Sequence, residues 1–196
     1  MNKRALPLFP LNTVLFPGGL LALRIFEARY LDLVRECARE ASCFGVCLIV
    51  GGREVGDPAV PAAIGTEARI VDFQTLPDGL LGITCRGEAR FRVVRTRVRD
   101  NGLLIGEVED LQPEPAQPVP AEFALLATIL ERLVEQIGAP FGEARKQDFD
   151  DAAWVGHRLA EILPLNAEER QGLLQLGDPI ERLRHLAHFL PRFQRD

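Results

Sequence analysis

Apolar residues recur mostly at every second position along the first 110 residues and at helical spacing along the rest. Leu6–Phe9 and Thr13–Phe16 are two short apolar runs separated by Pro10-Leu11-Asn12, and each predicts a strand. Pro17-Gly18-Gly19 is a turn signal, with a further strand expected over Leu20–Ile25. From Glu27 to Glu40 the period becomes helical, with Tyr30, Leu31, Val34, Cys37 and Ala38 on one side. Phe44–Val50 predicts a buried strand, and Gly51–Pro58 a polar, Gly-rich hairpin connector. Ile64–Leu76 and Leu80–Arg86 flank the tight turn Pro77-Asp78-Gly79. Arg90–Arg99 alternates with one phase change after Val94, the mark of a β-bulge, and Asp100-Asn101-Gly102 turns the chain into Leu103–Val108.

Beyond Asp110 the texture changes. Gln112–Pro120 carries four prolines and predicts a stiff linker. Ala121–Ile137 and Ala152–Leu163 have helical apolar stripes. Asn166 and Glu169 form a capping box, and Asp178-Pro179-Ile180-Glu181 opens a last helix. The pattern predicts an α+β chain: a β-rich part at 1–111 with one inserted helix, a linker at 112–120, and a small helical bundle at 121–196.

Composition adds a few exclusions. The chain is 47% hydrophobic and 26% charged, which suits a folded core. Net charge is −5; the first 110 residues hold 14 basic and 14 acidic side chains, the remainder 9 and 14, so neither part has the balance of a bulk polyanion binder. No apolar run is long enough to span a membrane, and prolines interrupt the stretch after the basic start Met1-Asn2-Lys3-Arg4. The expectation is a cytoplasmic protein with reduced, buried cysteines and no membrane partner.

Taken in order, these stretches resemble the N-terminal, substrate-binding domain of Lon proteases. The likeness rests on Leu6-Pro7-Leu8-Phe9-Pro10-Leu11, Phe16-Pro17-Gly18-Gly19, Arg24–Tyr30, Ile64-Gly65-Thr66-Glu67-Ala68-Arg69-Ile70, Leu76–Gly79, Gly87-x-x-Arg90-Phe91, Ile162–Leu165 and Asp178–Leu183. The resemblance implies a PUA-like β pseudo-barrel followed by a helical bundle; a stand-alone form, without the ATPase and protease domains that follow this region in Lon, is the expectation. It implies a non-enzymatic module that binds protein segments. Its partners would be unfolded segments, or a protease or chaperone that receives them.

The residues agree with the missing chemistry. There is no Gly-x-x-x-x-Gly-Lys-[Ser/Thr]. Ser42 is the only serine, and Lys3 and Lys146 are the only lysines available for a Ser–Lys dyad. Cys43-x-x-x-Cys47 has strand spacing rather than zinc spacing, and His157, His185 and His188 lie far away in sequence. No catalytic residue, metal or cofactor is expected. Phe9, Phe16, Phe26 and Phe44 are the candidates for an apolar peptide groove, against the alternative that they are core. Arg92, Arg95 and Arg97 are the candidates for RNA, with the bulge expected to split the arginines of this run between faces; nucleic acid is the less favoured partner because only Phe91 interleaves as a stacking aromatic. A third reading is an adaptor that binds a defined protease through its acidic helices.

Overall fold

The computed structural model describes residues 3–54, 56, 59–138 and 144–193. It divides into two units, Met1–Pro113 and Glu114–Asp196. The first contains β1 (Lys3–Leu11), β2 (Leu20–Ile25), α1 (Ala28–Glu40), β3 (Phe44–Gly51), β4 (Val60–Pro61), β5 (Ile64–Thr75), β6 (Leu81–Val98) and β7 (Leu104–Asp110). Sheet order is β1-β7-β6-β5-β3-β4, and β1 also pairs with β3. Five strands therefore close into a ring, and closure removes the edges that an open sheet would expose. The β1–β3 pair is parallel and the others are antiparallel.

The ring is narrow. Leu6, Leu8, Cys47, Phe91, Leu104 and Val108 fill it. Gly45 faces this interior, where an added Cβ would stand 2.5 Å from the Phe91 ring and 2.7 Å from Leu8. The alternate side chains point outward and form a second core beneath α1, comprising Phe9, Leu11, Ile25, Tyr30, Leu33, Val34, Cys37, Phe44, Ile83 and Cys85. Phe9 and Tyr30 stack there with centroids 3.8 Å apart. The amphipathic pattern of α1 explains this cover, though Leu33 rather than Ala38 is buried.

Three expectations change. β1 is one strand that runs through Pro7 and Pro10. Pro7 pairs only with β7 and Pro10 only with β3, so each proline has a single strand neighbour and its missing N–H can face the open side. Thr13–Phe16 is not a strand; it crosses Gly87, whose amide donates to Gly19 O at 2.8 Å and whose carbonyl accepts from Gly18 N at 2.8 Å. Leu81–Val98 is continuous where two strands were expected, because its first part lies between β2 and β5 and its last part pairs with β7. The expected bulge is present, as a register shift between Val93 and Arg95. The connector after β3 leads into β4 as a hairpin. Its Val55, Asp57 and Pro58, like Met1 and Asn2 of the basic start, lie outside the described residues.

The second unit contains α2 (Ala124–Ile137), α3 (Ala152–Ile162), α4 (Ala167–Gln175) and α5 (Pro179–Phe189). Asn166 and Glu169 close the capping box of α4 at 2.8 and 3.0 Å, and Asp178 caps α5; each such cap contributes about 1 kcal/mol. Residues from Glu114 onward, expected as linker, belong to this unit. Val119 N donates to Asp150 O and Ala152 N to Gln117 O, both at 2.9 Å, so the proline-rich stretch is tied to the start of α3. No helix among the described residues is long and apolar enough to cross a membrane.

Candidate functional site

Strand β6 extends beyond the ring, and its Leu81–Arg86 segment carries β2 on one side and β5 on the other. The three strands make an arm. Leu21, Leu23 and Ile25 of β2, Leu81, Ile83 and Cys85 of β6, and Ile70 and Phe73 of β5 share one face by register. Ile25, Ile83 and Cys85 are sealed in the core with α1, while Leu21, Leu23, Ile70 and Leu81 are only half-buried. Phe73 is 50% exposed, and Val71, the bulged residue beside it, is exposed too. An ion pair between Arg24 and Asp78 pins β2 to the turn between β5 and β6.

Among the described residues, no strand pairs with the outer edge of β2, nor with β5 beyond Ala68. The β5 edge is blunted, because the Phe73 amide donates to its neighbour Asp72 Oδ1 at 2.9 Å. The β2 edge is the open one.

The four predicted phenylalanines separate on burial. Phe9, Phe16 and Phe44 are buried and offer nothing to a ligand; Phe9 and Phe44 lie beneath α1. Phe26 is 54% exposed and follows Ile25 at the end of β2, on the arm. The other arm residue, Phe73, was not singled out from sequence. Its signal was an aromatic set between Asp72 and Gln74 just before a tight turn, where a small barrel has no core to receive it.

The arginines correct another expectation. Arg92, Arg95 and Arg97 stand opposite Glu109, Glu107 and Ile105 of β7 and therefore share one face. The bulge does not divide them; by absorbing one residue it keeps them together. Arg95 binds Glu107 at 2.6 Å, and Lys3 Nζ reaches the same carboxylate at 3.3 Å.

Cys43, Glu67 and Glu88 also converge, with ligand atoms within 4.8 Å of one another. Arg69 grips both oxygens of Glu88, at 2.5 and 3.2 Å, and Arg4 engages Glu67. Burial, helped by Glu88, pushes the Cys43 thiol up to about 11. A protonated thiol and two arginine-bound carboxylates are a poor ligand set for a metal ion. The Cys47 and Cys85 thiols are pushed up to about 12, chiefly by burial, so neither is poised as a nucleophile.

In the second unit Arg182 is fully buried. It donates to both oxygens of Glu114, at 2.5 and 2.7 Å, and to the carbonyls of Leu173 and Leu176. His157 Nε2 lies 3.3 Å from Glu114. Despite its burial, Glu114 is held down at about 2 by His157 and Arg182, and burial holds His157 down at about 4. The side chains of this network are buried, Arg182 fully and Glu114 and His157 nearly so, and they tie the start of the unit to α3 and α5.

The model of the ATP-dependent protease La (LON) substrate-binding domain matches residues 5–192. The chain belongs to the Lon substrate-binding domain family. It is 29% identical to Lon protease of Parabacteroides distasonis over 198 residues, which covers 95% of this chain and 24% of that protein. It is likewise 29% identical to Lon protease of Roseiflexus castenholzii, again with 95% of this chain and 24% of the relative covered. The chain thus spans about a quarter of the length of these relatives. Among solved structures, a Lon N-terminal domain protein from Xanthomonas campestris superposes with a TM-score of 0.80 at 50% identity, covering 95% of this chain and 98% of that one. The N-terminal domain of Lon protease from the Mycobacterium avium complex superposes with a TM-score of 0.69 at 18% identity, over 96% and 98% of the two chains, and shares the fold. The matched region is the substrate-binding part of Lon and not its protease domain.

Proposed function

We propose that this Lon-type domain recognises unfolded or exposed apolar segments of client proteins on the β2–β6–β5 arm and passes them to a protease or chaperone, without chemistry of its own. The observation that carries the reading is the apolar strip that α1 leaves open, from Leu21 and Leu23 across Leu81 to Phe73, with Phe26 at its end. A client segment adding to the free edge of β2 would gain backbone hydrogen bonds of no sequence preference while its alternate side chains rest on that strip. Family membership supports the general role of substrate recognition.

Calorimetric titration with a disulfide-reduced, unfolded test protein checks the reading. Binding should show a negative heat-capacity change and little dependence on salt. Phe26→Ser combined with Phe73→Ser should weaken it by about tenfold, since each substitution removes about 0.7 kcal/mol of half-exposed apolar contact. Equal binding by the native, oxidised form of the same protein would contradict it.

A further inference from the structure

The outer face of β6 carries a second surface, distinct from the arm. Pairing of β5 with β6 ends at Arg92, and the Val93 amide is taken by Ala63 O at 2.8 Å. From Val94 to Val98 the strand has β7 on one side and, among the described residues, no strand on the other. Val94 and Val98 are exposed along this edge. The outward face of the same strand presents Arg92, Arg95 and Arg97 at successive places. Among the described residues Arg92 and Arg97 have no ion-pair partner, while Arg95 and Lys3 share Glu107. Beside them lies an open depression of about 400 Å³, lined by Lys3, Ala5, Arg95, Arg97, Ile105 and Glu107 among others.

We infer that the Val94–Val98 edge docks an extended acidic segment of a partner protein. The segment adds to β6 as a strand. Every second side chain then falls on the arginine face, so carboxylates at alternate positions meet Arg92, Arg95 and Arg97. The intervening side chains fall on the side of Thr96 and Val98 and are small or β-branched. A second copy of this edge is a poor occupant, because arginines would face arginines. Nucleic acid is disfavoured because no aromatic side chain lines the depression and the chain carries net charge −5.

Fluorescence anisotropy on the whole chain tests this with four probes: labelled (Glu-Val)4, (Glu-Pro)4 and (Lys-Val)4 peptides and a single-stranded oligo-uridine RNA of about 12 nucleotides. The (Glu-Val)4 peptide should bind, and bind more weakly as salt rises from about 50 to about 300 mM. The (Glu-Pro)4 peptide has the same charge but lacks every second N–H, and its proline rings obstruct pairing as a strand, so it should bind at least about tenfold more weakly. The (Lys-Val)4 peptide should not bind. Arg92→Ala with Arg97→Ala should weaken (Glu-Val)4 by about tenfold at unchanged melting temperature; if melting falls, the Arg92→Gln and Arg97→Gln pair replaces it. Phe73→Ser should leave this affinity unchanged, which separates failure here from failure of the arm. Equal affinity for the two acidic peptides, tighter binding of RNA, no loss in the arginine variants, or no (Glu-Val)4 binding would each overturn the inference.

Discussion

Arg182 shows what one residue does in this fold. Its guanidinium satisfies Glu114 and two carbonyls, and its stem lies against Gly156, where an added Cβ would stand 3.0 Å from Arg182 Cδ. Arg182→Met would leave the Glu114 carboxylate buried without its main counter-charge, at a cost of about 3–5 kcal/mol. Urea denaturation measures that loss directly. The contact was not legible in the sequence, because Glu114 sits 68 positions away in a stretch that composition marks as linker. The caps at Asn166 and Asp178 were legible, since donor and acceptor lie within three residues.

Acid titration at the same scale has two opposed contributions. His157 is held down at about 4 in the native state, so the unfolded chain binds its proton first as pH falls below about 6.5, and stability drops from there to about pH 4. Glu161 is pushed up to about 7 by burial, so the native state binds that proton first and stability rises as pH falls from about 7 to 4.5. Glu114, held at about 2, adds a further loss below about pH 4.5. Urea midpoints of the wild type should therefore change little between pH 6.5 and 4.5 and fall below that. In Glu161→Gln the fall should already appear between pH 6.5 and 4.5; a flat profile in that variant would contradict the assignment to His157.

At the scale of elements, periodicity located most strands and helices, because each buries one face. It misread two places where the chain approaches itself. Thr13–Phe16 has a strand's composition but is set by Gly87, where an added Cβ would stand 2.2 Å from Phe16 O. Gly87→Ala should cost about 1–3 kcal/mol in thermal or urea unfolding, because backbone must yield. The second place is the bulge at Val94. The phase change was visible, but its consequence was inverted: a bulge takes up the extra residue, so side chains on either side of it keep their face. Deleting Val94 should remove the bulge and restore plain alternation, leaving Arg95 and Arg97 on their outward face opposite Glu107 and Ile105. A retained cooperative melt by circular dichroism is the expected outcome, and its loss would contradict this placement of the extra residue.

For the molecule as a whole, the family and the α+β architecture were readable because the order of many weak motifs spans the chain. The surface was less so. Of four candidate phenylalanines one reaches solvent, since closing five strands into a ring leaves outward side chains to be covered by α1, and pattern alone does not say where that cover stops. It stops on the arm. Hydrogen exchange with and without a reduced, unfolded client tests that claim most directly. Slowed exchange in Leu20–Phe26 and Ile70–Leu76 is the predicted result; unchanged exchange there, with protection confined to α2–α5, would contradict it.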